Sequence, residues 1–156
     1  MDNTFDAIVV GTGISGGWAA KELTEKGLKT LVLERGRMIN HIDDYHTANM
    51  DPWDFKGGDT ITQDAYKRQP KQSRTGYVNT ESSRHFFVDD LEHPYNDDEN
   101  KFNWIRGYHV GGRSLTWGRH TYRLSEFDFE ANLKDGVAID WPIRYKDISP
   151  WYDYVE

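Results

Sequence analysis

The sequence predicts an α/β fold that opens with two parallel strands joined by a helix. Three observations predict it. Ala7-Ile8-Val9-Val10 and Thr30-Leu31-Val32-Leu33 are short apolar runs, the residues between them follow a helical spacing, and a glycine-rich turn closes the first run. Apolar runs of that length, bounded by glycine, read as strands buried on both faces. Two such strands joined by one helical crossover are parallel, and the crossover is right-handed.

The elements follow in order. The first strand covers 7–10, the turn 11–17 and the helix 15–26. Within the helix Gly16, Ala20 and Leu23 share one face, while Lys21, Glu22, Glu25 and Lys26 take the other. Gly27 stands where a helix C-terminal glycine is expected. The second strand ends at Glu34. Over residues 37–103 neither period 2 nor period 3.6 persists, which predicts a long irregular excursion. Its Trp, Tyr and Phe content argues against disorder. Pattern returns in the glycine-punctuated stretch 104–118. A loop is predicted over 124–139. A helix is predicted to start with Ser149 as N-cap and Pro150 at its first position, so that the sequence reads as ending inside an element. Three segments of one domain are therefore expected: a βαβ unit at 1–36, an excursion or lid at 37–103, and a second glycine loop with the start of a helical region at 104–156.

Composition narrows the function. The 156 residues carry 19 Lys+Arg and 26 Asp+Glu, a net charge of −7. That acidity argues against binding a nucleic-acid backbone or an anionic lipid surface. Cysteine is absent, which excludes disulfides, thiolate zinc sites and a thiol nucleophile. No apolar run approaches the ~18 residues of a membrane span, and residues 1–6 hold no basic region of a signal peptide. The 6 Trp, 9 Tyr and 7 Phe favour a chain rich in pockets and interfaces over one closed around an aliphatic core. Two strands alone cannot cover both of their faces, so loose packing is expected unless further strands complete the sheet.

The chemistry concentrates in Gly11-Thr12-Gly13-Ile14-Ser15-Gly16. Gly11 suits the sharp strand-to-helix turn, Gly13 the close approach of a pyrophosphate, and Gly16 the packing of helix on strand. The helix N-terminus presents unpaired N–H groups and a partial positive charge to such an anion. Glu34, at the end of the second strand, is placed to accept hydrogen bonds from a ribose and to repel a 2′-phosphate. Strand, turn, helix and terminal acid together read as a Rossmann-like dinucleotide-binding unit. The competing reading is a glycine turn without ligand.

Other residues read more blandly. His41, His46, His85, His93, His109 and His120 form no metal-ligand spacing, so no metal site is expected. His120, just after the second glycine loop, is the one histidine placed to line an active site. Asp43-Asp44 and Asp97-Asp98 read as solvated loop charge, without the spacing of a calcium loop.

Glu34-Arg35-Gly36, the loop 106–118 and the stretches Asp140-Trp141-Pro142-Ile143 and Pro150-Trp151-Tyr152 resemble the glucose–methanol–choline (GMC) family of FAD-dependent oxidoreductases. Within that family the chain is most similar to bacterial sugar and glycoside dehydrogenases and to the pyranose oxidase branch. The resemblance implies the FAD-binding N-terminal portion of a larger two-domain fold, here an incomplete domain. It implies that Gly11, Gly13, Ile14, Ser15 and Gly16 wrap the pyrophosphate, with Glu34 on the ribose and Arg35 beside it. Gly111, Gly112, Ser114 and Thr116 would pass along the pyrophosphate and the isoalloxazine ring, with Trp117 approaching the flavin and Gly118 near its N5. Thr116 stands where the pyranose oxidase branch has a histidine that bonds the flavin, which implies noncovalent FAD. Arg113 replaces a smaller residue of that branch.

The implied activity is oxidation of a CH–OH group of a sugar, glycoside or other alcohol by hydride transfer to flavin N5. The family's catalytic histidine lies in a C-terminal region outside this sequence. No catalytic residue is therefore assigned, and the chain alone is expected to be inactive. Expected partners are the alcohol substrate, the remainder of the enzyme or a complementary chain, and a redox partner subunit. The expected location is cytoplasmic, with export to the periplasm alongside a signal-bearing partner as the alternative. Two rival readings remain: a stand-alone NAD- or ADP-binding module without catalysis, and a carbohydrate-binding module using exposed aromatics.

Overall fold

The computed structural model describes residues 3–156. It is a mixed α/β chain whose sheet has two parallel strands, β1 (Ala7–Val10) and β2 (Thr30–Leu33). Their register runs from Ala7 opposite Thr30 to Val10 opposite Leu33. Helix α1 (Ile14–Glu25) joins them, one residue earlier at each end than its periodicity predicts. Its C-terminus is closed by a paired glycine cap: the Leu28 N–H donates to the Leu23 carbonyl at 3.1 Å and the Gly27 N–H to the Thr24 carbonyl at 2.9 Å. Gly27 makes this possible with φ +83°.

The strands are not buried on both faces as their sequence predicts. Val9 is buried, but Ile8 and Val10 are 62% and 81% exposed. The face of β1 that carries Val9 is covered, and the face that carries Ile8 and Val10 is open.

The excursion holds the best-packed part of the chain. It is built from 3-10 turns and one short helix, α2 (Gln63–Arg68), started by Thr62, whose hydroxyl accepts the Ala65 N–H at 3.2 Å. Ala65, Phe86, Phe87 and Val88 are buried there with Gln69, Gln72, Asn79 and Asp90, and so is Arg106 just beyond it. Their polar groups substitute for a regular ladder. The Gln69 amide donates to the carbonyls of Arg84, Phe87 and Val88, each at 3.1 Å. The Gln72 side chain donates to Asp90 at 2.8 Å and accepts the Arg106 N–H at 2.8 Å. The Arg106 guanidinium, 3.5 Å from Asp90, also donates to the Tyr108 hydroxyl at 3.0 Å and the His93 carbonyl at 2.5 Å. Removing one partner from such a network strands the others in a dry interior, at about 1–3 kcal/mol per orphaned group.

That network leads into the second glycine loop. Residues 108–110 lie beside Arg37, just past β2: the Arg37 N–H donates to the Tyr108 carbonyl at 3.3 Å and the Val110 N–H to the Arg37 carbonyl at 2.9 Å. The contact requires glycine at 36, where a Cβ would stand 2.1 Å from the His109 nitrogen.

Two compact units are distinguished, Met1–Trp117 and Gly118–Glu156. The second contains α3 (Glu126–Asp135) and α4 (Tyr145–Val155). Both differ from expectation. The predicted loop over 124–139 holds α3, started by Ser125, whose N–H and hydroxyl donate to Asp128 at 2.7 and 2.8 Å. It is stopped by Gly136 at φ +67°. Helix α4 starts five residues before Pro150, because the Asp147 carboxylate accepts the Arg144 N–H at 2.8 Å and nucleates the turn there. Pro150 then lies inside the helix without an N–H to donate to the preceding turn. Phe129, 2% exposed, packs edge-on against Trp141 with ring centroids 5.6 Å apart.

The accessible surface is 11761 Å². Two separate compact units of these lengths would expose roughly 9,500 Å² by the area–mass relation. The excess is apolar in part: Ile8, Val10, Leu33, Met38, Trp53 and Trp151 are all exposed. Among the described residues no helix is long and apolar enough to cross a membrane.

Candidate functional site

The site forms where β1 turns into α1. Gly11 leaves the strand with φ +91° while its N–H still donates to the Leu33 carbonyl at 2.7 Å. Gly13 is the N-cap of α1, and the helical bonds begin with the Gly17 N–H donating to the Gly13 carbonyl at 2.8 Å. The amides of the first turn, from Ile14 to Gly16, therefore have no carbonyl within the helix to bond. No acidic residue occupies that turn, so the positive end of the helix dipole meets no carboxylate from the helix itself.

A cavity of about 290 Å³ opens at this end, lined by Thr12, Gly13, Ile14, Gly17, Trp18, Lys21 and Ser114. A Cβ on Gly13 would meet nothing within 4 Å, so the main chain there faces open space. A Cβ on Gly16 would stand 2.1 Å from the Gly11 carbonyl oxygen. Gly16 thus lets the helix lie on the turn, and Ser15 is exposed beside it.

Glu34 is held on the far side of the turn. Its Oε2 accepts the Thr12 N–H at 2.9 Å and the Thr12 hydroxyl at 2.5 Å, and its Oε1 accepts the Gly36 N–H at 2.8 Å. These bonds, the Thr12 hydroxyl first, hold its carboxyl below its ordinary range, against a smaller opposing effect of partial burial. Glu34 is therefore an anion at neutral pH, with lone pairs left on Oε1 for a further donor. Arg35 turns away from it and lays its guanidinium 3.7 Å from the centre of the Tyr108 ring.

The second glycine loop supplies the opposite wall. Gly111, φ +91°, donates its N–H to the Thr12 hydroxyl at 3.1 Å. Gly112, φ +52°, comes so near the first turn that a Cβ would stand 3.3 Å from the Gly13 Cα. A 3-10 turn over Gly112–Leu115 follows. It brings Ser114 onto the cavity, with its hydroxyl donating to the Gly111 carbonyl. Thr116 donates to the Arg113 carbonyl at 3.5 Å, and Trp117 is 37% exposed. Gly118 and His120 belong to the second unit and are exposed.

Of the thirteen residues singled out from sequence, the structure brings Gly13, Ile14 and Ser114 onto one cavity. Gly11 and Gly16 stand in the same turn without lining it, Glu34 and Gly111 are hydrogen-bonded to Thr12, and Gly112 lies against Gly13. Ser15, Arg35, Thr116 and Trp117 do not line it, and Gly118 lies in the other unit. Thr12, Gly17, Trp18 and Lys21 also line the cavity and were not singled out from sequence. Trp18 and Lys21 fall one and two turns after Ile14 on the same helical face, a spacing that could have found them. Thr12 had no such signal. Among the described residues no group of three or more His, Asp or Glu is arranged to hold a metal.

The residues fit a diphosphate. Unpaired helix amides, a glycine main chain facing open space and a cavity near the small end of ligand pockets (about 300–1,000 Å³) suit a compact anion with a flanking ribose.

No protein-family model matches the chain. Curated relatives do align with nearly all of it. A 6'''-hydroxyparomomycin C oxidase of Streptomyces lividus is 26% identical over 99% of this chain and 23% of its own length. A gluconate 2-dehydrogenase flavoprotein of Pantoea cypripedii is 28% identical over 97% of this chain and 24% of its own. A fructose dehydrogenase large subunit of Gluconobacter japonicus is 26% identical over 94% of this chain and 25% of its own. The chain thus spans about a quarter of the length of the relatives it matches, all of them named as oxidases or dehydrogenases.

Proposed function

We propose that this chain is the FAD-binding N-terminal portion of a GMC-type oxidoreductase that oxidises a CH–OH group of a sugar or glycoside. The observation that carries the reading is the meeting of the α1 N-terminus with the second glycine loop at one open cavity, beside an ionised Glu34. The relatives' names support the oxidoreductase class, and one of them is a flavoprotein by name.

In this reading the amides of Ile14, Ser15 and Gly16 bind the diphosphate, and Glu34 Oε1 accepts a ribose hydroxyl. Gly112 and Ser114 close the other side, and Arg35 braces the loop through Tyr108. When bound, the flavin accepts hydride from the substrate carbon. Trp117 would approach its ring, and Thr116 would form no covalent link to it. The segments 1–36, 37–103 and 104–156 serve one cofactor domain, completed by sequence or by a partner subunit that also supplies the catalytic histidine. Turnover, substrate choice and any redox partner belong to that whole assembly.

The test is reconstitution. The purified chain is mixed with FAD, passed over a desalting column and scanned for flavin absorbance. Stoichiometric retention that is lost in Gly13→Val is the expected result. A colourless chain that is instead protected against thermal unfolding by NAD favours the stand-alone nucleotide module. Glycan binding without any nucleotide effect favours the carbohydrate module.

A further inference from the structure

We infer that Thr12 is the positioning residue of this site: its hydroxyl locks the Glu34 carboxylate to the second glycine loop and so sets both walls of the cavity. The inference rests on the nucleotide-binding reading for what the cavity holds, but its geometry stands without a ligand.

A hydroxyl has one proton to give. The Gly111 N–H can only donate and an ionised carboxylate can only accept, so the direction of both bonds is fixed. Gly111 N–H donates to Thr12 Oγ1 at 3.1 Å, and Thr12 Oγ1–H donates to Glu34 Oε2 at 2.5 Å. The Thr12 N–H donates to the same Oε2 at 2.9 Å, so the carboxylate cannot rotate without breaking both. On the other side the Ser114 hydroxyl is bonded to the Gly111 carbonyl, and Ser114 lines the cavity. One chain of bonds therefore runs from Glu34 through Thr12 and Gly111 to Ser114. It joins residues 99 positions apart in sequence at the Thr12–Gly111 step.

No other residue makes this connection among the described hydrogen bonds. Glu34 meets only donors from Thr12, Gly36 and the Arg35 main chain. The one cationic side chain next to it in sequence, Arg35, is stacked on Tyr108. Threonine at 12 also narrows its own freedom, since a β-branched side chain has few χ1 rotamers to lose.

The test uses Thr12→Val, which keeps the shape and removes the hydroxyl, and Thr12→Ser, which keeps the hydroxyl. Thr12→Ala, smaller and free of new contacts, replaces the valine variant if that one does not fold. Three quantities are read: the Glu34 carboxyl titration by NMR, hydrogen exchange of the Gly111 amide, both without ligand, and ADP affinity by calorimetry. Without the hydroxyl, the Glu34 midpoint moves up towards its ordinary value, the Gly111 amide exchanges at least tenfold faster, and ADP binds about tenfold more weakly. The serine variant restores all three. An unchanged Glu34 midpoint and an unchanged Gly111 exchange rate in the valine or alanine variant overturn the inference. Failure of the wild-type chain to bind ADP overturns the nucleotide reading instead, and the two ligand-free measurements still decide the role of Thr12.

Discussion

Gly112 and Gly13 meet main chain to main chain. A Cβ added to Gly112 would stand 3.3 Å from the Gly13 Cα, and Gly112 itself has φ +52°. Residues about a hundred positions apart thus bring the two glycine turns into contact. Gly112→Ala combines a tight contact with a left-handed backbone, which costs roughly 1–2 kcal/mol in a non-glycine residue. Urea unfolding should show a loss of that size, and calorimetry a weaker affinity for ADP. Lower stability with unaltered ADP affinity would remove this loop from the site.

Gly16 and Gly17 are neighbours with opposite predicted outcomes. A Cβ at Gly16 would collide with the Gly11 carbonyl at 2.1 Å, whereas at Gly17 its nearest neighbour is the Thr12 carbonyl at 3.9 Å. Gly16→Ala should destabilise the chain by more than about 2 kcal/mol, as steric misfits in tight packing do. Gly17→Ala should stabilise it by about 0.5–1 kcal/mol, the usual gain of alanine inside a helix. Parallel thermal melts of the two variants decide the matter, and equal effects would refute the packing described here.

Glu34 predicts a direction for pH dependence. Its carboxyl is held below the ordinary value of 4.5 in the folded chain. A depressed folded value contributes stability that is fully present above the unfolded value and is lost as pH falls through the folded one. ADP affinity and stability should therefore be level from neutral pH to about 5 and fall below that. Glu34→Gln should lower both at neutral pH and flatten the acid limb. An acid limb identical in the variant would assign the effect to another group.

Arg35 and Tyr108 form a stacked pair 3.7 Å apart that links the end of β2 to the loop. Such pairs contribute about 0.5–1 kcal/mol at exposed sites. A double-mutant cycle with Arg35→Ala and Tyr108→Leu should return a coupling energy of that order. A value of zero would leave Arg35 as a solvated charge.

The sequence made the βαβ unit legible because its signals are local. Apolar runs, glycine spacing and the cap at Gly27 are each decided within a few residues of themselves. Ile14 follows from its place in the first glycine motif and Ser114 from the family resemblance alone, and both line the cavity. The excursion was illegible because its interior is polar: Gln69, Gln72, Asp90 and Arg106 are core residues that no hydrophobic period marks. Helix α3 was missed although Ser125, Asp128 and Gly136 spell its start and stop, and α4 was misplaced because Pro150 outweighed the cap at Asp147. Thr12 could not be found at all. Its role depends on Gly111, and only the fold brings the two together.

In the proposed function the unpaired amides at the start of α1 receive a diphosphate. ADP titrated into the 15N-labelled chain, followed by amide NMR, tests it directly. Saturable shifts are expected, largest at Ile14, Ser15 and Gly16 and smaller at Gly112 and Ser114, with none at the first three for adenosine without phosphate. Shifts absent from 14–16, or equal with adenosine alone, would contradict it.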